Sequence, residues 1–384
     1  MSGRLEHDFE RFKRELPRDA AGHIREAYGV DLTARYLGHT LPHPIGKGSG
    51  QLSLNLDQLE ADRAAGLAFV VLKTVIGEDA AGERSMGAWA IHETKMRVEA
   101  RVSLGGENGW TVTWKGRGWD RSFEEYLSLV RAGSDLTSAG EMVVVPSAKL
   151  HLPRLDERFR DAEYRHTIGG IAAAWGSGPL PIEKDFSPTL AGDSLADERA
   201  QILRWLREVP ARIREAVAVP VRLALKVMNA RFDDAFQLEM MEAASGADSL
   251  VCFNRLWDTT ARVAYGGYDL SDRNLRVLAS RPRSKDAPAV AGTGNICSGR
   301  MLIEYARLGC ECAQLHTFFQ LPLREYSATA GSRTQRALHA LLFDPANGLV
   351  AGMLQLEAAG LLERRDGELH FLDVAAMRAA MGPA

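Results

Sequence analysis

The sequence predicts an α/β fold, namely a (β/α)8 TIM barrel with an N-terminal helical extension and a small C-terminal helix-hairpin addition. Eight short apolar runs occur between residues 44 and 317, and helical patterns separate most of them. The runs are continuously apolar rather than alternating, which indicates strands buried on both faces. Intervening helices indicate parallel pairing through crossovers. Eight such units suit a closed barrel better than an open sheet.

The predicted barrel covers residues 35–330, preceded by a helical extension at 1–34 and followed by accessory elements at 331–384. The predicted strands are residues 44–50, 69–75, 142–146, 180–186, 221–227, 249–254, 289–292 and 313–317. The predicted helices between them include 56–65, 123–130, 197–216, 235–244 and 300–308. Strands that alternate with helices in this way are typical of repeated β–α units.

A long connection of residues 76–118 lies between the second and third predicted strands. It contains Trp89, Trp110 and Trp114, and a β-hairpin is expected around Gly105-Gly106. Long loops of a barrel often build the mouth of the ligand site. The segment is therefore interpreted either as part of that mouth or as a surface excursion with buried tryptophans.

The two ends of the chain carry their own patterns. Leu5, Phe9 and Phe12 recur at helical spacing, which predicts a packing helix that covers one barrel end or a dimer contact. A membrane or quinone docking helix is the alternative, but so few apolar positions make a weak anchor. Near the other end, a helix is followed by a predicted hairpin that turns at Asp366-Gly367. Without a basic recognition helix, this order favours an accessory packing element over DNA binding.

Composition excludes several classes of partner. Hydrophobic residues make up 46% of the 384 residues, and the formal net charge is −3, so nucleic acid is not an expected partner. No run approaches the roughly 20 apolar residues that an integral membrane segment needs, and the charged N-terminus lacks a signal-peptide core. The four cysteines form no C-x-x-C pair, so no metal site is predicted. A cytoplasmic location is the expectation.

The strongest local pattern is AVAGTGNICSGR at residues 289–300. An apolar strand ends at Gly292. Gly294 and Asn295 come next, and a helix begins near residue 298. Glycines let backbone amides approach an anion, and a helix N-terminus adds unpaired N–H groups. The next strand ends in His316-Thr317. Since loops after strands seven and eight of a barrel commonly hold phosphate, these two strand ends predict one phosphate site.

Two lysines follow apolar strands, Lys73 after 69–72 and Lys226 after 221–225. A buried ammonium group needs an anionic or polar acceptor, because burying an unpaired charge costs on the order of several kcal/mol. A flavin ring offers such acceptors. A salt bridge to a neighbouring carboxylate explains either lysine equally well.

The order of these motifs resembles the dihydroorotate dehydrogenase family of FMN-dependent barrels. The segments LGHTLPHPIGKGSGQ, VVLKTVIG, RLALKVMN, SLVCFNRL and GTGNICSGRMLIEYARLGCECAQLHT are each similar to a family strand, in the family's order, over roughly residues 35–325. The resemblance implies FMN as cofactor. It assigns cofactor contacts to Gly48, Ser49, Gly50, Lys73, Thr74, Lys226, Asn254, Gly266, Gly267, Gly292, Gly294, Asn295, His316 and Thr317.

The catalytic segment of the family places a cysteine or serine base before a proline, after the fourth strand. Ser187 and Pro188 match that pattern, so the resemblance implies Ser187 as the base that removes a proton while hydride passes to the flavin. Lys73 is the second residue assigned to the reaction. A serine hydroxyl is a poor base by itself and needs a relay. A turn serine beside proline is the structural alternative.

The substrate pocket departs from the family pattern. Lys184 and Thr189 stand where the family has asparagines, and Arg255 stands where it has a serine. The asparagine loop is replaced by residues 113–120, which include Trp114. Amides suit a pyrimidine edge that both donates and accepts, whereas these replacements favour a more anionic substrate. The predicted substrate residues are Trp114, Lys184, Thr189, Asn254 and Arg255.

The sequence therefore predicts an FMN-dependent oxidoreductase that exchanges hydride with a small, anionic molecule at a CH–CH or related bond. One alternative is a non-redox barrel enzyme or binding protein for a phosphorylated metabolite. Another is a flavin-binding protein that has lost its chemistry. A homodimer is expected on the resemblance alone.

Overall fold

The structure is a computed structural model that describes residues 2–90, 97–102, 105–106, 108–113, 118–186, 199–229, 234–258, 263–266, 270–282, 284 and 286–380. The helices are α1 (Ser2–Arg11), α2 (Ala20–Tyr28), α3 (Leu56–Ala64), α4 (Phe123–Ser138), α5 (Asp161–Trp175), α6 (Arg199–Glu215), α7 (Asp234–Ala243), α8 (Leu270–Ser280), α9 (Gly299–Arg307), α10 (Arg333–Phe343), α11 (Leu349–Ala358) and α12 (Phe371–Ala380).

The strands are β1 (Val30–Asp31), β2 (Ala34–Tyr36), β3 (His39–Leu41), β4 (Ile45–Lys47), β5 (Phe69–Val71), β6 (Val75–Ile76), β7 (Arg97–Val102), β8 (Asn108–Thr113), β9 (Val143–Val145), β10 (Ser147–Lys149), β11 (Leu180–Asp185), β12 (Val221–Met228), β13 (Ser249–Asn254), β14 (Leu256–Asp258), β15 (Val263–Gly266), β16 (Ala289–Gly292), β17 (Cys310–Leu315) and β18 (Leu369–His370).

A curled, parallel sheet of ten strand segments forms the centre of the α/β fold, in the order β6-β10-β11-β12-β13-β16-β17-β4-β5-β9. A strand lies at each of the eight predicted positions. The second predicted strand is divided into β5 and β6, and β9 is followed by a further segment, β10, just beyond the predicted bounds. The predicted helices between strands are confirmed as α3, α4, α6, α7 and α9. The strands are almost wholly buried, as their continuous apolar runs predicted.

Successive helices pack on one another in chain order, α4 on α5, α5 on α6, α6 on α7 and α7 on α8. Several begin at the capping residues that the sequence supplies. Ser122 and Ser332 open α4 and α10 with capping boxes, and Ser298 caps α9 by accepting a hydrogen bond from the Met301 amide. Across the described ranges, no helix combines the length and the apolarity needed to cross a bilayer.

The long connection after β6 forms the predicted hairpin, with β7 antiparallel to β8 and Gly106 in the turn at φ +84°. The hairpin does not stand alone, because β8 also pairs with β15, which pairs with β14. The result is a four-stranded antiparallel sheet, β14-β15-β8-β7. This sheet brings the connection next to the carboxyl ends of the central strands, since β14 follows β13 closely.

Both ends of the chain pack together in a unit that we call the terminal cap, made of α1, α2, β1, α10, α11, β18 and α12. The C-terminal hairpin prediction is only partly right. Asp366 and Gly367 form the turn at positive φ, but the hairpin is reduced to one bridge between Arg365 and Glu368. Leu369 of β18 instead pairs in parallel with Val30 of β1, which offers an open strand edge.

Candidate functional site

A narrow cleft lies at the carboxyl ends of β4, β12, β13, β16 and β17. The carboxyl ends of parallel strands are the usual place for ligand sites in α/β folds. The cleft is lined by Gly48, Ser49, Lys226, Asn254, Arg255, Leu270, Thr293, Gly294, Asn295, Ile296, Gln314, Leu315, His316 and Thr317. Nine of these are residues that the sequence predicted for cofactor or substrate, and they come from five separate strand ends.

The loop after β16 has a backbone that only glycine can follow at its centre. Gly294 has φ +105°, and a Cβ there would lie 2.4 Å from Asn274 Nδ2 and 2.9 Å from the Phe253 carbonyl oxygen. The buried Asn274 amide donates to the carbonyls of Phe253 and Thr293 at 3.0 and 2.8 Å. The loop is therefore held from behind by α8, and its position is fixed before any ligand arrives.

Asn295 lies next in this loop at φ +51°, and its side chain holds the hairpin. Its Oδ1 accepts from the Trp110 amide at 3.2 Å, and its Nδ2 donates to Ser271 Oγ at 3.2 Å. A Cβ on Gly109 would lie 2.2 Å from Asn295 Oδ1, so the hairpin approaches the loop closely. Docking of the hairpin at this point is consistent with the interpretation of the long connection as part of the mouth.

His316 lies at the other strand end predicted for phosphate. A Cβ on Gly50 would lie 1.7 Å from its Nε2, so the ring fills the space that this glycine leaves open. Burial lowers the pKa of His316 well below its usual value, and the charges of Arg255, Lys73, Lys226 and Lys47 lower it further. The imidazole is neutral at physiological pH, and the space around it has a positive potential that favours an anion.

Lys226 borders the cleft and belongs to a buried polar network. Its Nζ donates to Gln314 Oε1 at 3.0 Å and lies 3.7 Å from Glu183 Oε1. Gln314 Nε2 contacts Tyr36 Oη at 3.0 Å and Glu183 Oε2 at 2.6 Å. Burial raises the pKa of Glu183, against the opposing effect of Lys226. The network gives the cleft a wall in which one cation and one carboxyl lie side by side.

The region around Lys73 and Thr74 adjoins the cleft through hydroxyl groups. Thr74 Oγ1 lies 2.8 Å from Ser49 Oγ and 3.0 Å from Ser147 Oγ. Lys73 is buried, with 5% of its surface exposed, and its backbone N–H donates to the Ser53 carbonyl at 3.0 Å. The residues between β5 and β6 therefore meet the end of β4, as their assignment to one site requires.

Three predicted residues lie away from the cleft. The Lys184 amine donates to the Asp185 carbonyl at 3.1 Å and lies 4.7 Å from the centre of the Phe186 ring. Burial lowers the pKa of Lys184 to about 7, aided by the charge of Lys149. Because neighbours on a strand face opposite sides, Lys184 lies on the other face of β11 from Glu183. The resemblance had assigned Lys184 to the substrate because it stands where the family has an asparagine.

The other two are glycines, one in a close helix–strand contact and one in a strand pair. Gly292 precedes the loop, and a Cβ there would lie 2.7 Å from the Tyr305 ring, so this glycine lets α9 approach β16. Gly266 pairs with Val112 in the four-stranded sheet. Ser187, Trp114, Thr189 and Gly267 lie outside the described residues.

Two residues that sequence reasoning missed shape the cleft wall, Gln314 and Glu183. Gln314 lies two positions before His316 on an apolar strand, and a period of two places both side chains on one face. Glu183 is a charged residue inside the otherwise buried run 180–186. A polar residue in a buried strand is the signal that could have identified both, because such a group is rarely buried without a partner.

The cleft residues fit a bound FMN. The phosphate of FMN needs N–H groups and a positive potential, which the ends of β16 and β17 and the basic residues around His316 supply. The isoalloxazine ring needs polar donors at one edge, which Lys226 and Asn254 can supply from the opposite wall. The glycine at position 48 keeps that wall open, because a Cβ there would lie 3.4 Å from Lys226 Nζ.

Comparisons with known proteins show the fold alone. No family model matches the chain, and no curated protein matches it in sequence. Among solved structures, the fold is similar to a ligand-free DHODH (dihydroorotate dehydrogenase) from Eimeria tenella, with a TM-score of 0.59 and 12% sequence identity. The match covers 90% of this chain and 91% of that one. A DHODH-like α/β fold with a curled parallel sheet therefore extends over nearly the whole chain.

Proposed function

We propose that this chain is an FMN-dependent oxidoreductase that exchanges hydride with a small, anionic substrate at a CH–CH or related bond. The observation that carries the proposal is the convergence of nine predicted residues from five strand ends on one cleft. Its positive potential suits the phosphate of the cofactor. The similar fold of a DHODH supports the choice of a flavin over other phosphorylated ligands.

The scaffold that we propose is a closed (β/α)8 barrel over residues 35–330, with accessory elements at 1–34 and 331–384. The two ends of the ten-segment order support closure. β6 pairs with β10 and β5 pairs with β9, while β9 and β10 are separated only by Pro146. Counted as continuous strands, β5 with β6 and β9 with β10 are neighbours, so each strand position has two partners.

The chain's own residues would act as follows. Gly294, Asn295 and Thr317 would hold the phosphate, and Lys226 and Asn254 would orient the ring. FMN bound there would supply the hydride exchange. The four-stranded sheet above the loop would help to exclude water. Ser187 is proposed as the base, and Lys73, close to the site, would contribute positive charge.

Among the cleft residues, Arg255 is the one that most directly indicates an anionic substrate. It lines the cleft at the end of β13, directly after Asn254, and has φ +29°, a position that the surrounding structure must hold in place. A guanidinium group there would bind a carboxylate by two parallel hydrogen bonds. Trp114 and Thr189 stay proposals for the same pocket, whereas Lys184 does not line the cleft. A cytoplasmic homodimer is proposed with the rest.

The proposal is tested by the colour and cofactor content of the purified protein. We expect flavin absorbance and release of FMN on denaturation, or reconstitution by added FMN. Lys226→Met should weaken FMN binding, while Lys13→Met, a change at a surface ion pair with Glu10 of α1, should not. A colourless protein that binds inorganic phosphate but no flavin would contradict the proposal and favour a phosphorylated metabolite as ligand.

The assignment of Ser187 has its own test. Ser187→Ala should slow reduction of the bound flavin by substrate and leave FMN affinity unchanged, because a base acts on the substrate and not on the cofactor. Ser128→Ala, which changes an exposed serine of α4, is the matched control. Unchanged reduction kinetics in Ser187→Ala would show that another group removes the proton.

A further inference from the structure

Glu183 is a carboxyl group buried directly behind the cleft, and its place there is not explained by the sequence motifs. It has no exposed surface. Its Oε2 accepts from Gln314 Nε2 at 2.6 Å, whereas no donor within the described ranges lies at hydrogen-bond distance from Oε1. The nearest cation is Lys226, whose Nζ lies 3.7 Å from Oε1. A buried carboxyl with one unsatisfied oxygen is costly, so it calls for a functional explanation.

Lys226 lies between this carboxyl and the cleft. The lysine lines the cleft together with Gln314, and Gly48 leaves the same wall uncovered. If Lys226 served only to neutralise Glu183, we would expect its Nζ to lie at hydrogen-bond distance from the carboxyl oxygen. Here the ammonium group instead donates to Gln314 Oε1 at 3.0 Å and stays 3.7 Å from the carboxyl. The geometry keeps the cation at the cleft wall while the carboxyl lies behind it.

We propose that Glu183 is a positioning residue that, through Lys226 and Gln314, sets how much positive charge the cleft presents to the ring of a bound flavin. The inference rests on the proposed function, because it concerns the same site. An ionised Glu183 partly cancels the charge of Lys226, and a neutral Glu183 leaves that charge in full. A positive charge beside a flavin favours states of the ring that carry negative charge.

The charge on Glu183 depends on pH through the groups that face it. These are Lys226 from β12, Asp185 from its own strand, Tyr36 from β2 and Tyr126 from α4. Burial raises the pKa of Glu183, and Asp185 raises it further, while Lys226 and the Gln314 hydrogen bond lower it. A group whose folded pKa is raised takes up its proton at a higher pH than usual, so the effect on Lys226 should be largest at alkaline pH.

Sulfite is a suitable probe, because it adds to oxidised flavin through its lone pair and leaves negative charge on the ring. The holoprotein would be titrated with sulfite at a series of pH values from acidic to alkaline, because burial raises the pKa of Glu183. Wild type, Glu183→Gln and the control Glu311→Gln would be compared at each pH. Glu311 is a half-buried carboxyl on β17 that lines a separate cleft near β2 and β3.

We expect Glu183→Gln to bind sulfite about ten-fold more tightly than wild type at the alkaline end, the scale of one charge acting over a few ångströms. The two proteins should converge as the pH falls and Glu183 takes up its proton. In the Lys226→Met background, measured with enough FMN to keep the site saturated, the difference should disappear, since the effect passes through the lysine. Glu311→Gln should behave like wild type throughout. The reduction potential of the flavin should rise in Glu183→Gln under the same alkaline conditions.

Equal sulfite affinity of Glu183→Gln and wild type at every pH, with FMN bound to both, would overturn the inference and leave the proposed function standing. A wild-type protein that binds no flavin would overturn both. Glu183→Met removes the same charge without a polar group to satisfy, so it replaces Glu183→Gln if that variant does not fold. A tightening that did not vary with pH would show a structural effect and also contradict the inference.

Discussion

The cleft and the terminal cap use charged residues in opposite ways. Around His316 in the cleft, the strongest electrostatic influences are four basic side chains of one sign. In the cap, charged side chains such as Arg25 and Asp8 have partners close beside them. Arg25 binds both oxygens of Glu368 at 2.7 Å, and the Asp8 carboxylate contacts His23 and Tyr28 at 2.7 and 2.8 Å.

The difference teaches how to separate a site from a scaffold. Paired groups hold two parts of the chain together and leave no residual potential for a ligand. Around His316, two of the four basic residues also face a buried carboxyl group, Lys47 at Asp62 and Lys226 at Glu183, yet all four act on the same ring. Basic groups gathered around one point create a positive potential that a bound anion would compensate. The predictions below test whether the two regions differ in this way, beginning with the contact that joins them.

The largest effect is expected at the buried pair Lys47–Asp62, which joins β4 and α3 to Thr334 of the cap. Both side chains are at most 3% exposed. Lys47→Met should lower the free energy of unfolding by roughly 3–5 kcal/mol, because it leaves a buried carboxylate uncompensated. The double variant Lys47→Met/Asp62→Leu should recover most of that loss.

Urea denaturation of the single and double variants checks this prediction, with Lys13→Met as the control at an exposed pair. If the single variant were as stable as wild type, the pair would not join the two regions as described. If the double variant were no better than the single one, the cost would come from lost packing and not from the unpaired charge.

The second effect concerns His43, which lies buried just before β4. Its Nδ1 accepts from the Ile45 amide at 3.3 Å and its Nε2 contacts the Gly66 carbonyl at 2.9 Å, so only the neutral ring fits. Burial lowers the pKa of His43 from 6.5 to about 4. The unfolded chain takes up the proton first, so stability is full above pH 6.5 and is lost as pH falls toward 4, by roughly 3 kcal/mol.

His43→Gln removes the titrating ring, and its free energy of unfolding should fall less steeply than that of wild type over the same pH range. Thermal unfolding at stepped pH checks the difference. His39, half-buried on β3, offers the control variant His39→Gln, because burial lowers its pKa as well but its ring makes none of these hydrogen bonds. Parallel pH profiles of wild type and His43→Gln would contradict the assigned role.

The sequence predicted the parallel sheet and the glycine loop after β16 well, because both depend on local patterns. Apolar runs identify buried strands, and Gly294 has a backbone that the residue type itself suggests. The wall behind the cleft could not be predicted, because Glu183, Gln314 and Tyr36 meet only through the curling of the sheet. The face on which Lys184 lies was equally hard to predict, since a shift of one residue along a strand moves a side chain to the opposite face.

The pairing of β18 with β1 was unpredictable for a related reason. These two short strands are more than three hundred residues apart and meet only when the whole fold has formed. Neither has a sequence pattern that identifies its partner. The local turn at Asp366-Gly367 was recognisable from residue type, whereas the strand pairing beyond it was not.

The third effect compares two glycines at positive φ. Gly294→Ala meets both a strained backbone and close atoms, so we expect a loss of roughly 2–3 kcal/mol and much weaker FMN retention. Gly66→Ala, at φ +77° with no atom within 4 Å of the new Cβ, should cost only about 1 kcal/mol and leave cofactor binding unchanged. Equal FMN affinity in both variants would show that the loop after β16 does not hold the phosphate.

The smallest effect compares two strained residues, one that holds the hairpin through its side chain and one that lies in an exposed turn. Asn295 and Asp366 have nearly the same backbone, φ +51° and +53°, and glycine relieves both. Asp366 is exposed in a turn of the cap, so Asp366→Gly should change stability by no more than about 0.5 kcal/mol. Asn295→Gly also removes the hydrogen bonds to Trp110 and Ser271, so it should cost about 1 kcal/mol. Hydrogen exchange should speed up in 108–113 for Asn295→Gly alone, because the loss falls on the hairpin that Asn295 holds.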